Sequence, residues 1–259
     1  MKLTPENTNL FFDLDGTLIV NGEANEETIK AVIYAKAKGC KIYLNTGRAR
    51  GNLLKSIDKL SGIPFDGFLC AGCSIYTGTG CENAILETTL KSEEVDKLVR
   101  YGCDKSYWFT VETIDNIFIG KIHGEITYTK KQLDAFYLDM MQQLSNEKVV
   151  KISYFPPKGT KDDNISKIFN QYDWVVYPHC YELYHKGKNK GSILEIFRNT
   201  FKIKDGVFVA FGDSENDLDF FKQADVSVAM RHAPDLLKNL ATFTATTPNG
   251  VAELIYKLI

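Results

Sequence analysis

The stretch that most constrains the fold is Asn9-Leu10-Phe11-Phe12-Asp13-Leu14-Asp15-Gly16-Thr17-Leu18, where an apolar run stops at two carboxylates one residue apart. A short Phe- and Leu-rich run bounded by a turn signal reads as a buried strand. Residues i and i+2 of a strand share a face, so a strand that persists delivers Asp13 and Asp15 together at its C-terminal end. That is the edge at which open α/β sheets bind ligands. Gly16 permits the sharp turn there, and Thr17 adds a hydroxyl. Two carboxylates this close repel each other unless a cation sits beside them or one keeps its proton. Either outcome suits a metal-assisted nucleophile with a neighbouring acid or base. A solvated Asp-Gly turn after a core strand is the plain alternative.

The segments that follow repeat the pattern. Asn25 can cap a helix carrying Ile29, Val32, Ile33 and Ala37, which ends at Gly39. Lys41 to Asn45 reads as a strand ending at Thr46-Gly47-Arg48, followed by a helix with Leu53, Leu54, Ile57 and Leu60 and a third strand over 67–70. Strand–helix–strand–helix–strand begins a parallel sheet wound with helices. The rhythm then changes. A hairpin is expected over 74–86, followed by helices and closely spaced strands to 184, which suggests an antiparallel sheet with helices on one face. Strand–helix alternation resumes with a helix over 191–201, with Pro234 suiting a later helix's first turn. The expected class is α/β, a Rossmann-like parallel-sheet core over 1–82 and 185–259 with an inserted α+β cap domain over 83–184.

Composition narrows the function. The net charge of −2 gives no basic field for nucleic acid, and no apolar run approaches membrane-spanning length. The polar start, Met1-Lys2-Leu3-Thr4-Pro5, has no signal-like apolar region, so a cytoplasmic location is expected. Six cysteines without such a signal are expected to be free thiols. Cys70-Ala71-Gly72-Cys73 is followed by strand-like residues where a redox pair would open a helix, and no second pair completes a zinc set. The histidines, at 123, 179, 185 and 232, show no metal spacing. Tyr107, Trp108, Phe109 and Phe118 read as core of the insert or as a substrate platform.

Four stretches fall on strand-end loops or helix starts. They are Asp13 to Thr17; Thr46-Gly47-Arg48, whose hydroxyl and N–H groups could hold a phosphate oxygen; Lys190-Gly191, a source of positive charge with Lys186 and Lys188 as competitors; and Gly212-Asp213-Ser214-Glu215-Asn216-Asp217, a second acidic cluster. Strand-end placement could bring all four to one sheet edge. Gly187 to Ser192 superficially suggests a phosphate loop but lacks the glycine spacing of a P-loop.

In this order the four stretches resemble the motifs of the haloacid dehalogenase-like hydrolase superfamily, and within it the Cof-type sugar-phosphatase group. The resemblance implies that Asp13 is the nucleophile and Asp15 the general acid/base. It implies that Thr46 binds the transferred phosphoryl group and that Lys190 stabilises it; Gly47 and Arg48 are expected to bind substrate with them. It also implies a Mg2+ ion held by Asp13, the Asp15 carbonyl, Asp213, Asn216 and Asp217. The expected function is magnesium-dependent hydrolysis of a small phosphorylated metabolite, with a sugar phosphate as one candidate, through an aspartyl-phosphate, by a monomer or small homo-oligomer. A phosphomutase and a phosphate-sensing module without turnover are the alternatives. The chain departs from the family pattern at Ala71-Gly72 and at Arg231-His232, where the family often has Asn-Gly and Gly-Asn.

Overall fold

The computed structural model describes residues 1–120, 128–160, 162, 164–177, 179–203 and 205–259; His123 lies outside them. The chain forms two compact units, one of Met1–Arg48, Leu53–Glu87 and Lys190–Ile259, the other of Ala49–Asn52 and Thr88–Asn189.

In chain order the elements are β1 (Thr8–Phe12), β2 (Ile19–Val20), β3 (Glu23–Ala24), α1 (Glu26–Ala37), β4 (Lys41–Asn45), α2 (Arg50–Leu54), β5 (Gly67–Cys70), β6 (Ser74–Thr77), β7 (Asn83–Leu86), α3 (Ser92–Asp104), β8 (Trp108–Thr113), β9 (Ile117–Gly120), α4 (Lys130–Gln143), β10 (Val149–Phe155), α5 (Ile165–Ile168), β11 (Tyr172–Val176), β12 (Tyr181–His185), α6 (Ser192–Thr200), β13 (Val207–Gly212), α7 (Leu218–Gln223), β14 (Val226–Ala229), α8 (Asp235–Leu240), β15 (Phe243–Thr244) and α9 (Gly250–Leu258).

The first unit is built on an eight-stranded sheet in the order β15-β14-β13-β1-β4-β5-β6-β7. The strands from β15 to β5 run parallel, while β6 pairs antiparallel with β5 and β7 antiparallel with β6. β1 is buried along its whole length, and its alternation serves two cores. Leu10 and Phe12 join one layer with Ala31, Val32 and Ala35 of α1 and Leu254, Ile255 and Leu258 of α9. Phe11 points the other way, among Ile193, Leu194 and Phe197 of α6, Phe220 and Phe221 of α7 and Leu237 of α8. Helices therefore cover both faces, as the uniform apolarity of the strand requires. Asn83–Leu86, which the expected division assigns to the insert, pairs with β6 in this sheet.

The second unit holds a five-stranded antiparallel sheet in the order β11-β12-β10-β8-β9. Phe109, Val111, Ile152, Tyr154 and Leu183 alternate onto one face and pack with Val95, Leu98 and Val99 of α3 and Met140 of α4. Thr110, Glu112, Lys151, Ser153 and Glu182 alternate onto the other, where Lys151 lies 3.0 Å from Glu112 and 3.1 Å from Glu182. Of the aromatic candidates, Tyr107 and Phe109 are core and Phe118 packs against it. Trp108 is exposed and stacks on Phe155, centroids 4.7 Å apart.

Four local expectations differ. In α1, Ile33 and Ala37 face out, and the buried positions are Thr28, Ala31, Val32 and Ala35. The expected helix after Arg48 is short, and a 3-10 turn over Ile57–Leu60 follows it. Pro234 precedes α8 as its N-cap. β1 ends at Phe12, so the two-residue alternation does not carry through to Asp15. All six cysteines are buried thiols outside any disulfide. Among the described residues no helix is long and apolar enough to cross a membrane.

Candidate active site

Register fixes the site. Phe12 lies opposite Phe211 on one side and Leu44 on the other. The residues that follow each strand therefore leave the sheet along one edge. The ladder extends one step beyond β1, with the Asp13 N–H donating to the Phe211 carbonyl at 2.9 Å. Asn45, the last residue of β4, donates from Nδ2 to the Lys190 carbonyl at 3.1 Å. That bond ties the loop before α6 to the same edge.

Asp13, Asp213 and Asp217 each offer a carboxylate oxygen, and these oxygens lie within 4.8 Å of one another. Lys190 Nζ sits 2.5 Å from Asp13 Oδ1 and 2.5 Å from Asp217 Oδ1, with its side chain only 6% exposed. It also reaches Asn216 Oδ1 at 3.5 Å. The turn Glu215–Asp217 holds Asp217 in place, its Oδ2 accepting from the N–H groups of Asp213 and Ser214 at 2.9 and 3.1 Å. Asp217 Oδ1, fully buried, has the ion contact with Lys190 but no aligned hydrogen bond. Thr17 Oγ1 donates to Asp213 Oδ1 at 3.3 Å, and His232 Nε2 lies 3.3 Å from Asp213 Oδ2. Gly16, at φ +84°, has to be glycine for two reasons: a Cβ would meet Asp213 Oδ2 at 2.1 Å, and the backbone is left-handed.

The electrostatics follow from burial. Desolvation lifts the Asp13 carboxyl well above its usual range; Lys190 opposes the rise, and Asp217 and Asp213 add to it. Burial, with Asp217 beside it, also raises Asp213. Burial alone would lower Lys190, but Asp13 and Asp217 outweigh it and hold the ammonium above its ordinary value. With every group ionised, three carboxylates and one ammonium leave a net −2.

The structure brings together Asp13, Lys190, Asp213, Asn216 and Asp217. Thr46 follows β4 and is buried, its hydroxyl accepting from the Arg48 N–H at 3.2 Å; Gly47 lies between them. The Asp15 side chain is separate from the carboxylate group. It is 56% exposed and is gripped by Arg48, Nε to Oδ2 at 2.7 Å and Nη2 to Oδ1 at 2.5 Å. In the sequence, His232 stands out only within the Arg231-His232 departure from the family pattern, and Ser56 carries no role. That departure directly follows the strand-end segment Ala229-Met230; nothing local flags Ser56.

The family model for haloacid dehalogenase-like hydrolases matches residues 10–255. The chain is 28% identical to the 5-amino-6-(5-phospho-D-ribitylamino)uracil phosphatase YwtE of Bacillus subtilis, over 95% of this chain and 96% of that protein. A haloacid dehalogenase-like hydrolase structure from B. subtilis aligns with a TM-score of 0.80 at 21% identity, covering 97% of this chain and 100% of that one. The subclass IIB sugar phosphatase BT4131 aligns with a TM-score of 0.75 at 22% identity, covering 96% and 98%. A match across nearly the whole chain, on a fold with these strand-end carboxylates, makes this protein a member of the haloacid dehalogenase-like hydrolase family and an enzyme.

Proposed function

We propose that the protein is a magnesium-dependent phosphatase that hydrolyses a small phosphorylated metabolite, a sugar phosphate among the first candidates, through an aspartyl-phosphate on Asp13. The observation that carries this reading is the convergence of Asp13, Asp213 and Asp217 around Lys190. The phosphatase names of YwtE and BT4131 agree with it.

The donor set fits a hard divalent cation. It is all oxygen, it carries a net −2 that a 2+ ion neutralises, and it includes a buried carboxylate oxygen without a hydrogen bond. Asp13, Asp213 and Asp217 would hold the ion, with Asn216 and the Asp15 carbonyl as further oxygens. Bound there, Mg2+ would offset carboxylate–phosphate repulsion and polarise the phosphoryl group. The chain's own residues do the rest. The Asp13 carboxylate attacks phosphorus while the P–O bond to the leaving alcohol breaks. Asp15 gives that alcohol its proton, then takes one from the water that cleaves the acyl phosphate. The Thr46 hydroxyl, the Gly47 N–H and the Lys190 ammonium bind the equatorial oxygens, where charge has to be held during transfer.

The test is phosphate release from a panel of sugar phosphates, nucleotides and cofactor phosphates, with Mg2+ and with chelator. Release that requires Mg2+ and disappears in a folded Asp13→Asn variant is expected. Full activity in Asp13→Asn removes the nucleophile assignment. Isomerisation of a sugar phosphate without free phosphate would indicate a mutase instead.

A further inference from the structure

The Arg48 side chain is already committed to protein oxygens. Its Nε and Nη2 take both oxygens of Asp15, and its Nη1 donates to Ser56 Oγ at 2.8 Å. Its backbone is anchored on both sides, the N–H to Thr46 Oγ1 at 3.2 Å and the carbonyl accepting from the Ala71 N–H at 3.0 Å. A guanidinium fork matched to a carboxylate fixes the plane and direction of that carboxylate. Asp15 otherwise stands 56% exposed on a turn, free to choose among solvated rotamers. A pair this exposed contributes about 0–1 kcal/mol to stability, so its geometry calls for a reason other than holding the fold together.

We propose that Arg48 is a positioning residue that aims the Asp15 carboxyl for proton transfer, with Ser56 bracing the guanidinium, and that it is not a ligand of the transferred phosphoryl group. The inference rests on the phosphatase reading above. In the first step the Asp15 proton passes to the ester oxygen as the P–O bond breaks and the bond from Asp13 to phosphorus forms. In the second, the Asp15 carboxylate takes a proton from water as the new P–O bond forms and the Asp13 oxygen leaves. Arg48 gains and loses no proton in either step, because a guanidinium stays charged. It donates to whichever carboxyl lone pairs the travelling proton leaves free. Misdirection of such a group by an ångström can cost about 100-fold in rate.

Leaving-group dependence separates the two roles. An alkyl phosphate such as n-butyl phosphate needs its leaving oxygen protonated, whereas 2,4-dinitrophenyl phosphate does not. kcat/KM reports only the steps up to the aspartyl-phosphate. For Arg48→Ala the expected loss in kcat/KM is about 100-fold or more on the alkyl ester, within the usual range for general acid catalysis, and only a few-fold on the dinitrophenyl ester. Arg48→Lys keeps the charge but loses the fork, and should follow Arg48→Ala. Ser56→Ala should show a smaller loss confined to the alkyl ester. Asp15→Ala combined with Arg48→Ala should be no worse than Asp15→Ala alone, since the second residue acts through the first. Equal losses on both esters, together with weaker inhibition by vanadate, would make Arg48 a phosphoryl ligand and overturn the proposal. Unchanged kinetics in a folded Arg48→Ala would overturn it as well. A wild-type enzyme that releases phosphate from neither ester with Mg2+ would instead defeat the underlying phosphatase reading.

Discussion

Chelating divalent cations and raising the pH should destabilise this protein by an amount set by its buried charges. The carboxylates of Asp13, Asp213 and Asp217 share one ammonium, Lys190, and burial holds Asp13 and Asp213 above the ordinary carboxylate value. For an acid whose folded pKa is raised, the stability it contributes is complete below its unfolded value, about 3.9 for Asp. That stability is lost as the pH rises through the folded value, because the unfolded chain gives up the proton first. The metal-free protein should therefore lose stability with rising pH, beginning near the ordinary carboxylate value. The slope is at most about 1.4 kcal/mol per pH unit for each of the two groups. A bound divalent ion replaces those protons, so Mg2+ should flatten the profile and its binding should release protons, up to about two. Urea unfolding across pH, in chelator and in excess MgCl2, measures the slope. Calorimetric titration of Mg2+ in two buffers of different ionisation enthalpy counts the protons. Parallel stability profiles with no proton release would refute the reasoning, because the site would then hold its charges without help from proton or metal.

Two substitutions test the same balance from other directions. Lys190→Met should cost about 3–5 kcal/mol in chelator, since it strands Asp13 and Asp217 in the interior, and less in MgCl2; denaturant unfolding in the two buffers checks both. Gly16→Ala puts a methyl 2.1 Å from Asp213 Oδ2 at φ +84°. The left-handed backbone alone costs about 1–2 kcal/mol, and displacing Asp213 should weaken Mg2+ binding by about tenfold or more, read by titration; unaltered Mg2+ affinity would show that Asp213 gives way at no cost.

The local parts of this architecture are legible in the sequence, and the pairings between them are not. The strand Thr8–Phe12 is readable because burial on both faces demands uniform apolarity over a few residues, a pattern that needs no knowledge of its neighbours. The α1 face is harder. The 3.6-residue spacing of apolar side chains selects Ile29, Val32, Ile33 and Ala37; Val32 is indeed buried, but its buried companions are Ala31 and Ala35, in the cluster that holds Val251, Leu254 and Ile255 of α9. Small residues let that surface pack closely, and their low apolar signal hides it. Carboxylate clustering is readable as two acidic strand ends, because parallel strands expose their C-termini along a common edge. Which oxygen meets which cation is not readable. Lys190 to Asp13 spans 177 residues and Thr17 to Asp213 spans 196, and both depend on the register Phe12 to Phe211. The separation of Asp13 from Asp15 follows from the same cause. Once β1 ends at Phe12, Asp13 continues the ladder into the buried cluster, while the turn carries Asp15 outward to Arg48 at the end of the neighbouring strand. Two carboxylates that look like a repelling pair in the sequence thus acquire different cations, which gives Asp13, the proposed nucleophile, a buried setting and Asp15, the proposed proton carrier, an exposed one.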